Sequence, residues 1–198
     1  FVICRTTVDS GGLVVSGKRR IVVIGGGIAG VSIAGELSHD HDVVVIEAED
    51  TLAHHTTGRS AAVLLPGYGN KVVRELTQRS IALYAERSKK YEVGLLEPRA
   101  FLQIAGADRA DMLREIVEKT PTMHMIDVED AFTLCPYLNR DAVAAAAIDE
   151  TGSAIDVASL HQTYVREIAA NGGVIVKNKR VDAIALGNPC VVSSGDES

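Results

Sequence analysis

Residues 21–24 are apolar at every position and stop at Gly25-Gly26-Gly27. Four apolar residues broken off by glycines read as a buried strand that ends in a tight turn. An alternating small and apolar segment follows, through Ile28, Ala29, Gly30, Ala34 and Gly35, and decays at Ser38-His39-Asp40. It predicts a helix with a close-packing small face. Residues 43–46 form a second fully apolar run, as expected of a parallel strand covered on both faces, and Glu47 closes it.

Further along, residues 70–91 carry Val73, Leu76, Leu83 and Tyr84 at near-helical spacing with charges opposite, which predicts a helix. Residues 101–105 read as a short strand. Asp108 reads as the cap of a helix that buries Met112, Leu113, Ile116 and Val117. Residues 124–126 predict a strand, and Asp127 opens a helix that ends before Pro136. Residues 142–148 are ambiguous. Alanine favours helix, yet the run is short, uncapped and leads into an Asp-Glu-Thr-Gly turn. Asp156 caps an amphipathic helix with Val157, Leu160, Tyr164 and Ile168 on one face, stopped by Asn171-Gly172-Gly173. His161 on that helix reads as a packed structural histidine. Residues 174–176 and 181–186 predict strands.

The first strand, turn, helix and strand form a βαβ unit with chemistry at its turn. Gly25 permits the turn, Gly27 lets backbone approach a pyrophosphate, and Gly30 lets the helix pack on the strand. The amides at the helix start, around Ile28 and Ala29, lack intrahelical partners and sit at the positive end of the helix dipole. Glu47 stands twenty residues after Gly27, where a carboxylate can accept both ribose hydroxyls and would repel a 2′-phosphate. Ala48 follows it. The alternative is a purely structural glycine turn.

Composition changes this little. The 198 residues can hold one large or two small domains, and 46% apolar with 23% charged residues is an ordinary globular balance. A net charge of -6 gives no general attraction to nucleic acid or acidic membranes, and no apolar run approaches membrane-spanning length. Cys4, Cys135 and Cys190 match no metal or disulfide spacing and fit a reducing cytoplasm. Residues 1–18 show no signal-peptide pattern and read as a disordered lead-in; the missing initial methionine hints at a fragment.

A polar loop after Glu47 contains His54 and His55, which read as solvated, with a covalent flavin link as the remote option. Thr56-Thr57-Gly58-Arg59-Ser60-Ala61-Ala62 follows. Small and hydroxylated residues around a glycine suit backbone lying against a ligand, with Ser60 and Arg59 able to reach a phosphate. A helix start capped by Thr57 or Ser60 is equally open.

The glycine turn, Glu47 and the segment 57–62 together resemble the FAD-dependent D-amino acid dehydrogenase/oxidase family, with most similarity to bacterial D-arginine-type dehydrogenases. The resemblance continues through Tyr68-Gly69, residues 149–156 and Leu160-His161, and covers about residues 20–186. Family members are roughly twice as long. The resemblance implies an α/β fold: a Rossmann-like FAD/NAD(P)-binding domain with an inserted α+β substrate-domain segment, truncated. The FAD-binding part would be residues 19–92 and 153–198, and the substrate part residues 93–152. It also places a strand at residues 142–148.

By the same resemblance the cofactor is FAD. Gly25, Gly27, Ile28, Ala29 and Gly30 would hold pyrophosphate and Glu47 and Ala48 the ribose. Arg59, Ser60, Ala61 and Ala62 would lie along the phosphates toward the flavin, and backbone at Val181 would meet the adenine edge. The implied reaction oxidises the C–N bond of a small-molecule amine, a D-amino acid, to an imino acid that water converts to a 2-oxo acid and ammonia. Tyr68 matches a substrate-lining tyrosine; no catalytic residue is assigned, and the electron acceptor is left open. Val63 stands where the D-arginine-type enzymes have histidine, and Phe101 where they have a carboxylate, which points to an uncharged or apolar amine. Two other readings remain: an FAD- or ADP-binding fragment without activity of its own, and an NAD-dependent dehydrogenase, which shares the first motif but not residues 57–62.

Overall fold

The structure, a computed structural model, describes residues 3–6, 18–187 and 190–195. It divides into two compact units, Phe1–Ala61 with Val157–Ser198, and Ala62–Asp156.

The first unit begins with strand β1 (Ile3–Thr6), then β2 (Arg20–Ile24), helix α1 (Ile28–Ser38) and β3 (Asp42–Ile46). β2 and β3 run parallel with Ile21 opposite Val43 and Ile24 opposite Ile46. Val23 and Val45 are fully buried and Val43 nearly so, as two-faced burial of their apolar runs requires. The lead-in expectation needs correction at residues 3–6. They form a strand antiparallel to β2, Ile3 opposite Val23, which pairs backbone groups an edge would leave open. The rest of that segment up to residue 17 lies outside the described residues.

The chain then enters the second unit through β4 (Val63–Leu64), α2 (Lys71–Tyr91), β5 (Leu96–Pro98), β6 (Phe101–Ala105), α3 (Ala110–Lys119), β7 (Met123–Ile126), α4 (Val128–Leu134), β8 (Ala145–Asp149) and β9 (Ser153–Ile155). Two antiparallel sheets result, in the orders β4-β9-β5 and β6-β8-β7. The division falls at Ala61, not after residue 92, so α2 belongs to the second unit. The reason is β4, which joins β9 with Val63 opposite Ala154 and so commits the chain to the second unit before α2 begins.

The alanine run is a strand, buried along all of β8 between β6 and β7. Ala145 and Ala147 face Ala110 and Leu113 of α3, where a small side chain lets a helix approach the sheet. Two expectations fail in detail. The residue before α3 is Arg109, not Asp108, and Met112 is 60% exposed. α2 does form, capped by Asn70 accepting from the Val73 amide, but Val73, Leu76 and Leu83 are exposed among the described residues. Periodicity predicts a helix and its apolar face; it does not supply the surface that covers the face.

The chain returns to the first unit with α5 (Val157–Ala170), β10 (Val174–Val176), β11 (Ala183–Ala185) and β12 (Val191–Ser193). β10 adds parallel to β3, giving the order β1-β2-β3-β10, and β11 pairs with β12. α5 buries Leu160, Tyr164 and Ile168 as its pattern predicts, and ends where Gly172 takes φ +81° and the Gly173 amide returns to the Ile168 carbonyl. α1 and α5 pack closely because Gly35 lacks a Cβ, which would stand 2.9 Å from the Tyr164 ring. The Asn171 side chain donates to Ser38 Oγ at 2.9 Å across the same seam. Among the described residues Cys135 is free.

Gly30 is the tightest point of the first unit, since a Cβ there would overlap the Gly25 carbonyl. Gly30→Ala must push α1 off β2. We expect a loss of about 3 kcal/mol, the upper end of overpacking costs, read as a lower urea midpoint at unchanged slope.

Candidate cofactor site

The turn between β2 and α1 is built from three glycines with different jobs. Gly25 adopts φ +103°, a conformation that L side chains rarely take, and its amide donates to the Ile46 carbonyl at 2.8 Å. Gly26 is buried, and a Cβ there would run into Leu52. Gly27 is the N-cap of α1 with extended backbone and no side-chain cap. Of the first-turn amides, that of Ile28 donates to Thr57 Oγ1 at 3.0 Å. Those of Ala29 and Gly30 have no protein acceptor among the described residues. They stand at the positive end of an 11-residue helix.

Glu47 sits immediately after β3, beside this turn. Its Oε2 accepts the Gly26 amide at 2.6 Å and its Oε1 the Glu49 amide at 3.0 Å. Burial pushes its carboxyl pKa up, but the Glu49, Gly26 and Ala48 amides and nearby His55 outweigh this and hold it below the ordinary 4.5. Acceptor capacity remains beyond these amides, so the carboxylate can still accept a hydroxyl. Ala48 next to it is exposed.

Thr57–Arg59 forms one 3-10 turn in which the Gly58 amide donates to the Ala53 carbonyl at 2.9 Å. Arg59, Ser60 and Ala61 are exposed beyond it in the first unit. Ala62 opens the second unit in the left-handed region, φ +54°, where its carbonyl accepts the Ile155 amide. Val181 lines a cavity of about 400 Å³ with Ile46, Val176 and Lys179, and the Lys179 amide donates to the Glu47 carbonyl. Glu47, Val181 and the glycine turn are thus neighbours at one end of the parallel strands. Tyr68 is described in the second unit, 69% exposed, on a cavity of about 240 Å³ with Phe101, Gln103 and Asp149. His55 Nε2 pairs with Glu49 Oε1 at 2.9 Å in an exposed contact, and no metal-ligand cluster exists among the described residues.

Two further side chains hold the turn, one of them from the segment read above as lying against a ligand. Thr57 caps α1 from outside, 29 positions along the chain. His161, read as structural, is 3% exposed with its Nε2 2.8 Å from the Gly26 carbonyl.

An open helix start behind glycines, Gly25 at positive φ and Gly30 without room for a Cβ, with a carboxylate at the next strand end, fits a dinucleotide without a 2′-phosphate. That defines the class, a dinucleotide-binding βαβ protein. The family described as DAO, FAD dependent oxidoreductase, matches residues 20–197, and the chain belongs to this FAD-dependent family. It is similar to L-proline dehydrogenase from P. horikoshii, at 22% identity and TM-score 0.70 over 87% of this chain and 47% of that one. It is also similar to glycine oxidase from Geobacillus kaustophilus, at 18% identity and TM-score 0.75 over 88% and 50%. Glycerol 3-phosphate dehydrogenase of Caloramator mitchellensis is 23% identical over 172 residues, 82% of this chain and 36% of that protein. At these identities the likeness is one of fold, and the chain spans about half or less of the length of these relatives. None of the three is a D-arginine dehydrogenase, so that finer resemblance does not enter the identification.

Glu47→Gln in the full-length protein should weaken FAD binding by about 1.5–3 kcal/mol through lost charge-assisted hydrogen bonds. Gly27→Val should abolish binding, because a side chain there would stand where the pyrophosphate must lie. Equilibrium titration with FAD measures both, and unchanged affinity in the pair would make the turn merely structural. A carboxyl depressed on folding contributes stability above its unfolded pKa and loses it as pH falls through the folded one. The wild type should therefore lose more stability than Glu47→Gln as pH drops below 4.5, read from urea midpoints.

Proposed function

We propose that the protein carrying this chain oxidises the C–N bond of a small amine, with a D-amino acid bearing an uncharged or apolar side chain as the leading substrate. The observation that carries the reading is the Gly25–Glu47 turn within an FAD-dependent family. Bound FAD supplies the two-electron acceptor for such an oxidation. The chain's own residues do the holding. The amides of Gly27, Ala29 and Gly30 bind pyrophosphate, Glu47 the ribose, and backbone at Val181 the adenine edge. Arg59, Ser60, Ala61 and Ala62 run along the phosphates toward the flavin. Tyr68 lines the substrate. The substrate loses two hydrogens, and water then converts the imine to a carbonyl compound and ammonia.

Relatives with similar folds include glycine oxidase from Bacillus cereus and L-amino acid deaminase from Proteus myxofaciens, which supports an amine. A second reading has its own support, in L-alpha-glycerophosphate oxidase from Mycoplasma pneumoniae with FAD bound, at TM-score 0.74. The cavity beside Tyr68 favours the amine. Among the described residues its lining includes Phe101, Ile116 and Met123 and the carboxylate of Asp149, and no lysine or arginine. A chain that binds FAD and catalyses nothing is the remaining reading.

The full-length protein should purify yellow with one FAD per chain. Mixed anaerobically with a panel of D-amino acids, L-amino acids, secondary amines and glycerol 3-phosphate, its flavin should bleach with an uncharged D-amino acid. Bleaching by glycerol 3-phosphate alone would replace the amine reading, and bleaching by none of the panel would favour binding without catalysis. Tight NAD binding without flavin would contradict the cofactor itself.

A further inference from the structure

Gly26 is held at both ends by side chains from elsewhere in the fold. Its amide, in the Gly25–Gly26 peptide, donates to Glu47 Oε2 at 2.6 Å. Its carbonyl, in the Gly26–Gly27 peptide, accepts from Ala53 N–H at 3.2 Å and lies 2.8 Å from His161 Nε2. A carbonyl can only accept, so His161 carries its proton on Nε2. In a trans peptide the C=O and N–H point in opposite directions. Fixing the Gly26 carbonyl toward α5 therefore aims the Gly27 amide the other way, to the open side of the turn where α1 begins.

We propose that His161 is a positioning residue for the FAD pyrophosphate, acting through the Gly26–Gly27 peptide. His161 is 3% exposed and comes from the helix that follows the inserted unit, 135 residues from Gly26. The turn consequently reaches its binding geometry only when the chain has returned through α5. Without the bond, cofactor binding itself must order the peptide, and affinity falls by that ordering.

The test uses full-length protein stripped of cofactor and titrated with FAD, so it stands whatever substrate is oxidised. His161→Leu should weaken FAD about fivefold to tenfold, the worth of one net hydrogen bond. His161→Gln, which returns an N–H donor near the position of Nε2, should bind within about twofold of wild type. Wild-type affinity in the leucine variant, or equal weakening in both, would overturn the proposal, the second outcome meaning that His161 only fills space. If the leucine variant does not fold, nitrogen NMR of histidine-labelled wild type decides. A protonated Nε2 whose signal shifts on adding FAD is expected, and a proton on Nδ1 instead would overturn the assignment.

Discussion

The structure of the first unit depends on how closely α1 can approach the end of β2. With a Cβ at Gly30 the helix would meet the Gly25 carbonyl, and the parallel strands would lose the cover on their α1 face. The same closeness turns the first amides of α1 outward at the strand ends, where Glu47 also arrives from β3. Packing and cofactor geometry are therefore set by one contact. Any side chain at Gly30 damages both, whereas a side chain at Gly27 damages the site alone.

Around that contact the chain builds a support of hydrogen bonds with large sequence separation. Thr57 closes the Ile28 amide, Glu47 the Gly26 amide, and His161 the Gly26 carbonyl. The α1–α5 seam, with Gly35 under Tyr164 and Asn171 on Ser38, carries His161 to the turn. The inserted unit from Ala62 to Asp156 lies between these partners in sequence, so the site joins segments on both sides of an insertion. The glycine turn, Glu47 and His161 belong to one unit, and Tyr68 and its cavity belong to the other.

Much of this was legible in the residues, and the exceptions have physical causes. The βαβ unit announces itself because burial on two faces demands unbroken apolar runs, and glycines mark where they stop. α5 was equally plain, down to its glycine stop. The alanine run was not, since helix propensity and strand burial compete at alanine and only the neighbours β6 and β7 decide. α2 was predicted as a helix but its apolar face is exposed among the described residues, because a pattern cannot show what lies opposite. The division at Ala61 lacks a local signal for a related reason: the pairing of Val63 with Ala154 is a long-range event. His161 was hidden in the same way. A histidine beside Leu160 on a buried face looks like core, and only the Gly26 carbonyl makes it part of the site.

The central claim is that the amides after Gly25 and the carboxylate of Glu47 receive one FAD. A crystal structure of the full-length protein with FAD bound tests it most directly. The account predicts pyrophosphate oxygens within hydrogen-bonding distance of the Gly27 and Ala29 amides, with a ribose hydroxyl on Glu47. Nucleotide density away from the start of α1, or a ribose that leaves Glu47 untouched, would contradict it.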